Sequence, residues 1–151
     1  MKFPVRGLLA GAFCVMTATS ALAADESYDV KAKAAKATVG EKATASVTIA
    51  SKKGWHLNAE APLTLKLSPG PGVTVDRPKL TRADLAASSE NSARFDVLLA
   101  ASNPGTSEIA AEAGFVLCQE SECRPVKEKL VIGVDALPAK PAADKPAKAK
   151  K

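Results

Sequence analysis

Apolar and polar residues alternate along most of the chain. Tyr28-Asp29-Val30-Lys31-Ala32-Lys33 has the period of a strand with one buried face. Residues 34–37 can extend that strand or turn helical, because Ala and Lys favour helix. After the turn signal at Gly40, residues 43–50 alternate again, with Ala45, Val47 and Ile49 on one face. Ser51-Lys52-Lys53-Gly54 reads as a loop, and Trp55-His56-Leu57-Asn58 as a short strand with Trp55 and Leu57 facing one way and His56 and Asn58 the other. Leu63, Leu65 and Leu67 form the next run, between Pro62 and Ser68-Pro69-Gly70-Pro71-Gly72. Val73 and Val75 make a brief strand that ends at Arg77-Pro78. Phe95, Val97 and Leu99 restore the pattern up to the turn Asn103-Pro104-Gly105. Ile109, Ala111 and Ala113 then lead through Gly114 to Phe115 and Leu117, and Pro125 opens a last strand carrying Leu130, Ile132 and Val134.

Residues 79–92 break the pattern. They are polar, rich in Ala and Ser, and have Thr81 as their one β-branched residue, which predicts a long loop with a turn of helix near residues 82–87. No long stretch shows a 3.6-residue period. About eight short strands punctuated by turn residues predict an all-β fold, an immunoglobulin-like β-sandwich. Its aromatics are Tyr28, Trp55, Phe95 and Phe115, so the core must be mostly Val, Leu, Ile and Ala.

The ends of the chain have a different composition. Residues 1–23 read as a signal peptide: Lys2 and Arg6, an apolar run from Gly7 to Met16, and the small-residue site Ala21-Leu22-Ala23. That run is shorter than the roughly 20 residues a membrane-spanning helix needs. Cys14 would leave with the signal. Residues 24–134 are expected to be the folded domain, and 135–151 a disordered Ala/Pro/Lys-rich basic tail. The expected location is periplasmic or secreted, where disulfides persist. The formal charge of +5 misleads. Between residues 24 and 134 fourteen Lys and Arg balance fourteen Asp and Glu, and the tail holds five Lys against two Asp. A neutral domain without a basic aromatic patch argues against nucleic acid. The tail is a spacer or a weak electrostatic contact with an anionic envelope surface.

The chemistry is concentrated in Phe115-Val116-Leu117-Cys118-Gln119-Glu120-Ser121-Glu122-Cys123-Arg124-Pro125. Four polar residues between two cysteines, flanked by strand-forming residues, predict a hairpin tip, and a symmetric four-residue turn would set Cys118 opposite Cys123. Opposed Cα atoms lie about 4.5–5.5 Å apart, within the range of about 4.4–6.8 Å that disulfides need. The residues leave three readings open: a staple, a redox couple, or two ligands of a soft-metal site with His56. The last falls short of the four ligands of structural zinc, and no cofactor is expected. Arg124 would favour a thiolate, while Glu120 and Glu122 would oppose one. No Ser-His-Asp set or carboxylate pair suggests a hydrolase.

Gly54-Trp55-His56-Leu57-Asn58-Ala59-x-x-Pro62, followed by Cys118-x4-Cys123-Arg124-Pro125, resembles the N-terminal domain of the thiol:disulfide interchange protein DsbD family, over about residues 28–134. The resemblance implies an immunoglobulin-like sandwich in the bacterial periplasm. Cys118 and Cys123 would be its redox pair, exchanging electrons with periplasmic thiol oxidoreductases. A cap loop, here residues 79–92, would shield the pair. Two features depart from the family: Leu85 stands among Ala and Ser where the family's cap has aromatics, and no membrane or thioredoxin-like domain follows in the 151 residues. A separate membrane electron donor would then be needed. The alternative is a non-catalytic β-sandwich binding module with a structural hairpin disulfide.

Overall fold

The computed structural model describes residues 27–52 and 54–141. The expected signal peptide and residues 142–151 lie outside them. Eleven strands follow in chain order: β1 (Tyr28–Lys33), β2 (Ala35–Thr38), β3 (Lys42–Ser51), β4 (His56–Leu57), β5 (Thr64–Pro69), β6 (Val73–Val75), β7 (Lys79–Thr81), β8 (Leu85–Ser89), β9 (Ser92–Ala101), β10 (Gly105–Gln119) and β11 (Glu122–Leu137). One 3₁₀ turn, Arg82–Asp84, joins β7 to β8.

The strands pair into two sheets. One runs β1-β3-β9-β6, with β8 beside β6 on the same flank of β9, and the other runs β2-β11-β10-β5-β7, with β4 on β10. All pairings are antiparallel except β2 with β11. The molecule is an immunoglobulin-like β-sandwich, as the alternation predicts. In β9, Ala93, Phe95, Val97, Leu99 and Ala101 are buried while Arg94, Asp96 and Leu98 face water. Ile49, Leu65, Ile109, Leu117 and Ile132 belong to the same buried core as Phe95, each 0% exposed. Burying each such side chain stabilises by about 1.5–3 kcal/mol. Tyr28 packs edge-on against Phe115 at 5.3 Å and donates its hydroxyl to Glu128 at 2.7 Å.

Four expectations are corrected. Among the described residues the strands number eleven rather than about eight, and β10 and β11 are long, 15 and 16 residues. Residues 79–92 form β7, the 3₁₀ turn and the edge strand β8. β8 is exposed along four of its five residues, so no apolar face disciplines its sequence into alternation. Residues 35–38 are neither a helix nor an extension of β1: the chain crosses at Ala34 to the other sheet. The domain also runs past residue 134, because Asp135, Ala136 and Leu137 pair with β2 and Ala136 is buried.

Candidate functional site

β10 and β11 form one hairpin paired without interruption from Gly105↔Ala136 to Gln119↔Glu122. The turn is thus two residues, Glu120 and Ser121, and the strands run through both cysteines. Two-residue hairpins need positive φ at the turn, and Glu120 takes it, at 35°. The register sets Cys118 opposite Cys123 with Cα atoms 4.1 Å apart, and the two are disulfide-bonded. Opposed residues come closest at alternate pairs of an antiparallel ladder, about 4.5 Å, which is where a disulfide spans neighbouring strands.

Alternation decides what surrounds the bond. Leu117 points into the sandwich and is 0% exposed. Side chains along a strand point to opposite faces in turn, so Cys118 and Cys123 lie on the outer face. β4 pairs with the other side of β10, with His56 opposite Cys118 and Leu57 opposite Leu117. His56, Cys118 and Cys123 therefore form a row across three strands on the outer face, and Leu57, Leu117 and Arg124 a row on the inner one. Arg124 thus does not sit beside the sulfurs, contrary to expectation. Its guanidinium lies 4.9 Å from the centre of the Trp55 ring, and Nη2 donates to the Ser27 hydroxyl.

The two sulfur-bearing residues differ in access. Cys123 is exposed, whereas Cys118 is 6% exposed although it lies on the outer face. The segment after β4 closes over Cys118. Asn58 N–H donates to Val116 O at 2.9 Å, extending the ladder by one bond. Its Oδ1 accepts from the amides of Glu60 at 2.8 Å and Ala61 at 3.0 Å, forming an Asx turn. Its Nδ2 lies 3.3 Å from Cys118 Sγ. Arg82 clamps this turn from outside, with Nη2 donating to Asn58 O at 2.6 Å and Ala61 O at 2.9 Å. Arg82 is held in turn by the 3₁₀ turn, where Asp84 accepts from the Thr81 amide at 2.9 Å and hydroxyl at 3.0 Å and pairs with Arg77. The Thr81 amide, its hydroxyl and Arg77 hold the Asp84 carboxyl below its ordinary value.

The stretch expected to cap the disulfide acts on Cys118 through Arg82 and the Asn58 turn, while its β8 portion belongs to the other sheet. β8 pairs with β9 in the opposite sheet, and the β8–β9 connection bonds to β4 through Leu57 N–H to Glu90 O at 2.9 Å. Ser88 and Glu90 line a cleft of about 520 Å³ together with His56, Asn58 and Arg82, and neither cysteine lines it. Pattern reading found the cysteine pair and the facing of His56 and Asn58, but missed the work of Asn58 and Arg82. The signal available for Asn58 was its place at the head of a turn-forming stretch, Asn58-Ala59-Glu60-Ala61-Pro62. Nothing local marked Arg82, whose partners lie 21 and 24 residues away.

No family model matches the chain, and no curated protein matches it. Among solved structures it is similar to domains 4 and 5 of the S-layer protein SbsC, at 13% identity over 74% of this chain and 51% of that one, with a TM-score of 0.40. It is similar to AggA, the major subunit of aggregative adherence fimbriae type I from Escherichia coli, at 9% identity over 73% and 94%, TM-score 0.38. A third is the ASH/PapD-like domain of human CEP192, at 13% identity over 86% and 100%, TM-score 0.35. The chain spans about half of the SbsC structure. None of these three is a DsbD domain, and likeness at this level carries nothing about activity. The assignment to an immunoglobulin-like β-sandwich stands on the strand pairing and the shared core.

Proposed function

We propose that the chain is an exported thiol-disulfide exchange protein of the DsbD N-terminal type, passing electrons through the Cys118–Cys123 couple to or from periplasmic thiol oxidoreductases or a separate membrane donor. The observation that carries this reading is the asymmetry of the bond: an exposed Cys123 joined to a Cys118 that is 6% exposed, at the tip of a hairpin. Exchange requires a thiolate to reach one sulfur of the bond, and exposure favours Cys123. The partner's thiolate attacks Cys123 Sγ, the Cys118–Cys123 bond breaks, and a mixed disulfide forms on Cys123. The electron pair leaves on Cys118 Sγ. The partner's second thiolate then attacks its own sulfur in the mixed disulfide and releases Cys123, so a dithiol is oxidised and this disulfide reduced. The basic tail adds weak attraction to an anionic envelope.

The reduction potential tests this reading. The domain is equilibrated in glutathione or dithiothreitol buffers, and free thiols are trapped. A value between about −270 and −120 mV belongs to exchange-active couples, whereas one below about −300 mV belongs to structural disulfides. The second outcome would leave a stapled binding module.

A further inference from the structure

We infer that Asn58 is a positioning residue that makes Cys118 the leaving sulfur, because its Nδ2–H is aimed to hold the thiolate Cys118 carries once Cys123 is attacked. The inference rests on the exchange reading and adds a residue to it. An Asn side chain can present either its oxygen or its nitrogen to a neighbour. Here the oxygen is committed, since two backbone donors, the amides of Glu60 and Ala61, both need an acceptor. The nitrogen must therefore be the end that faces Cys118 Sγ, 3.3 Å away. The turn that sets this direction is held at both ends by Arg82, through the Asn58 and Ala61 carbonyls.

A disulfide sulfur is a weak acceptor, but a thiolate is a full anion, and hydrogen bonds to charged groups are roughly twice as strong as neutral ones. The contact therefore strengthens as the bond opens. Cys118 is 6% exposed, so water can do little to stabilise the same charge. A buried thiolate without a donor would be a poor leaving group, and the Asn58 amide offsets that. Leaving-group acidity sets exchange rates together with access, and at this bond both select the same route: attack at Cys123, departure of Cys118.

Two variants separate the donor from the turn. Asn58→Ala removes both. Asn58→Asp keeps an oxygen for the Glu60 and Ala61 amides but turns a carboxylate oxygen toward the sulfur. Each is made in a Cys123→Ser background, and the acidity of Cys118 is read from ultraviolet thiolate absorbance across pH. Asn58→Ala should raise the thiol pKa by about 1 unit, the effect of one lost hydrogen bond to an anion, and Asn58→Asp should raise it further. With both cysteines present, reduction by glutathione should slow about threefold in Asn58→Ala, with the mixed disulfide still on Cys123. Unchanged Cys118 acidity in folded Asn58→Asp, beside rapid exchange in the unaltered protein, would overturn the role of Asn58 and leave the exchange reading standing. A bond that stays closed in glutathione while the acidity still shifts would overturn the exchange reading and leave the donor standing.

Discussion

Replacing both cysteines, as Cys118→Ser with Cys123→Ser, should lower the stability of the domain by about 2 kcal/mol and leave the sandwich intact. The bond closes a loop with a sequence separation of only five. In the chain-entropy model a loop of that size removes roughly 7 cal/mol/K from the unfolded ensemble, about 2 kcal/mol at 25 °C. The folded hairpin does not need the bond to find its register. β10 pairs with β11 from Gly105↔Ala136 to Gln119↔Glu122, and β4 and β5 flank it. The same free energy must appear a second time. If the bond stabilises the fold by about 2 kcal/mol, the fold stabilises the bond equally, which shifts its potential about 45 mV below that of the same loop in an unfolded peptide. Urea unfolding of the oxidised, reduced and doubly substituted domains measures the first quantity, provided the m-value is unchanged. Redox titration of the folded domain and of a peptide spanning residues 115–126 measures the second. Loss of the fold on reduction, or a destabilisation above about 4 kcal/mol, would refute the argument, because the bond would then be holding strands that pairing does not. A stability difference and a potential shift that disagree would also refute it.

Three further outcomes follow from named positions. Glu120→Gly should stabilise the oxidised domain by about 0.5–1 kcal/mol, since a positive φ of 35° strains a side-chain-bearing residue and the closed loop already limits the unfolded-state freedom of glycine; urea midpoints should show a smaller gain in the reduced domain. Phe95→Ala, at a site 0% exposed, should cost about 3–5 kcal/mol, read as a lower urea midpoint. Asp84→Asn should flatten the acid end of the stability profile. The Asp84 carboxyl is held below its ordinary value of 3.8, first by the Thr81 amide, so its contribution is complete well above that value and is lost as pH falls below it through the lowered folded value. Thermal melts in acid should therefore show a steeper loss in the unaltered protein than in the variant.

The inner face of the sandwich was legible because burial leaves a period of two. Leu63, Leu65 and Leu67, or Phe95, Val97 and Leu99, could face one core only as strands. The same rule failed wherever both faces meet water. β8 carries Leu85-Ala86-Ala87-Ser88-Ser89 with four exposed residues, so its composition resembled that of a loop. β2 was hidden for a related reason, since Ala and Lys favour helix when nothing else decides, and the parallel ladder to β11 decided otherwise.

The sequence by itself determined the fold class, the facing of most strands, and the opposition of Cys118 to Cys123, because each follows from local period and spacing. Strand alternation also puts Arg124 and Cys123 on opposite faces, but that became visible only with hairpin strands that run through both cysteines. Only the tertiary structure decided that Cys118 is buried while Cys123 is exposed, that His56 lies opposite Cys118, and that Asn58 turns its nitrogen to the sulfur. Those facts depend on strand β4 docking beside β10 and on Arg82 reaching back over more than twenty residues to clamp the turn. Contacts between distant segments are set by how the sheets pack, and no local pattern along the chain encodes that packing.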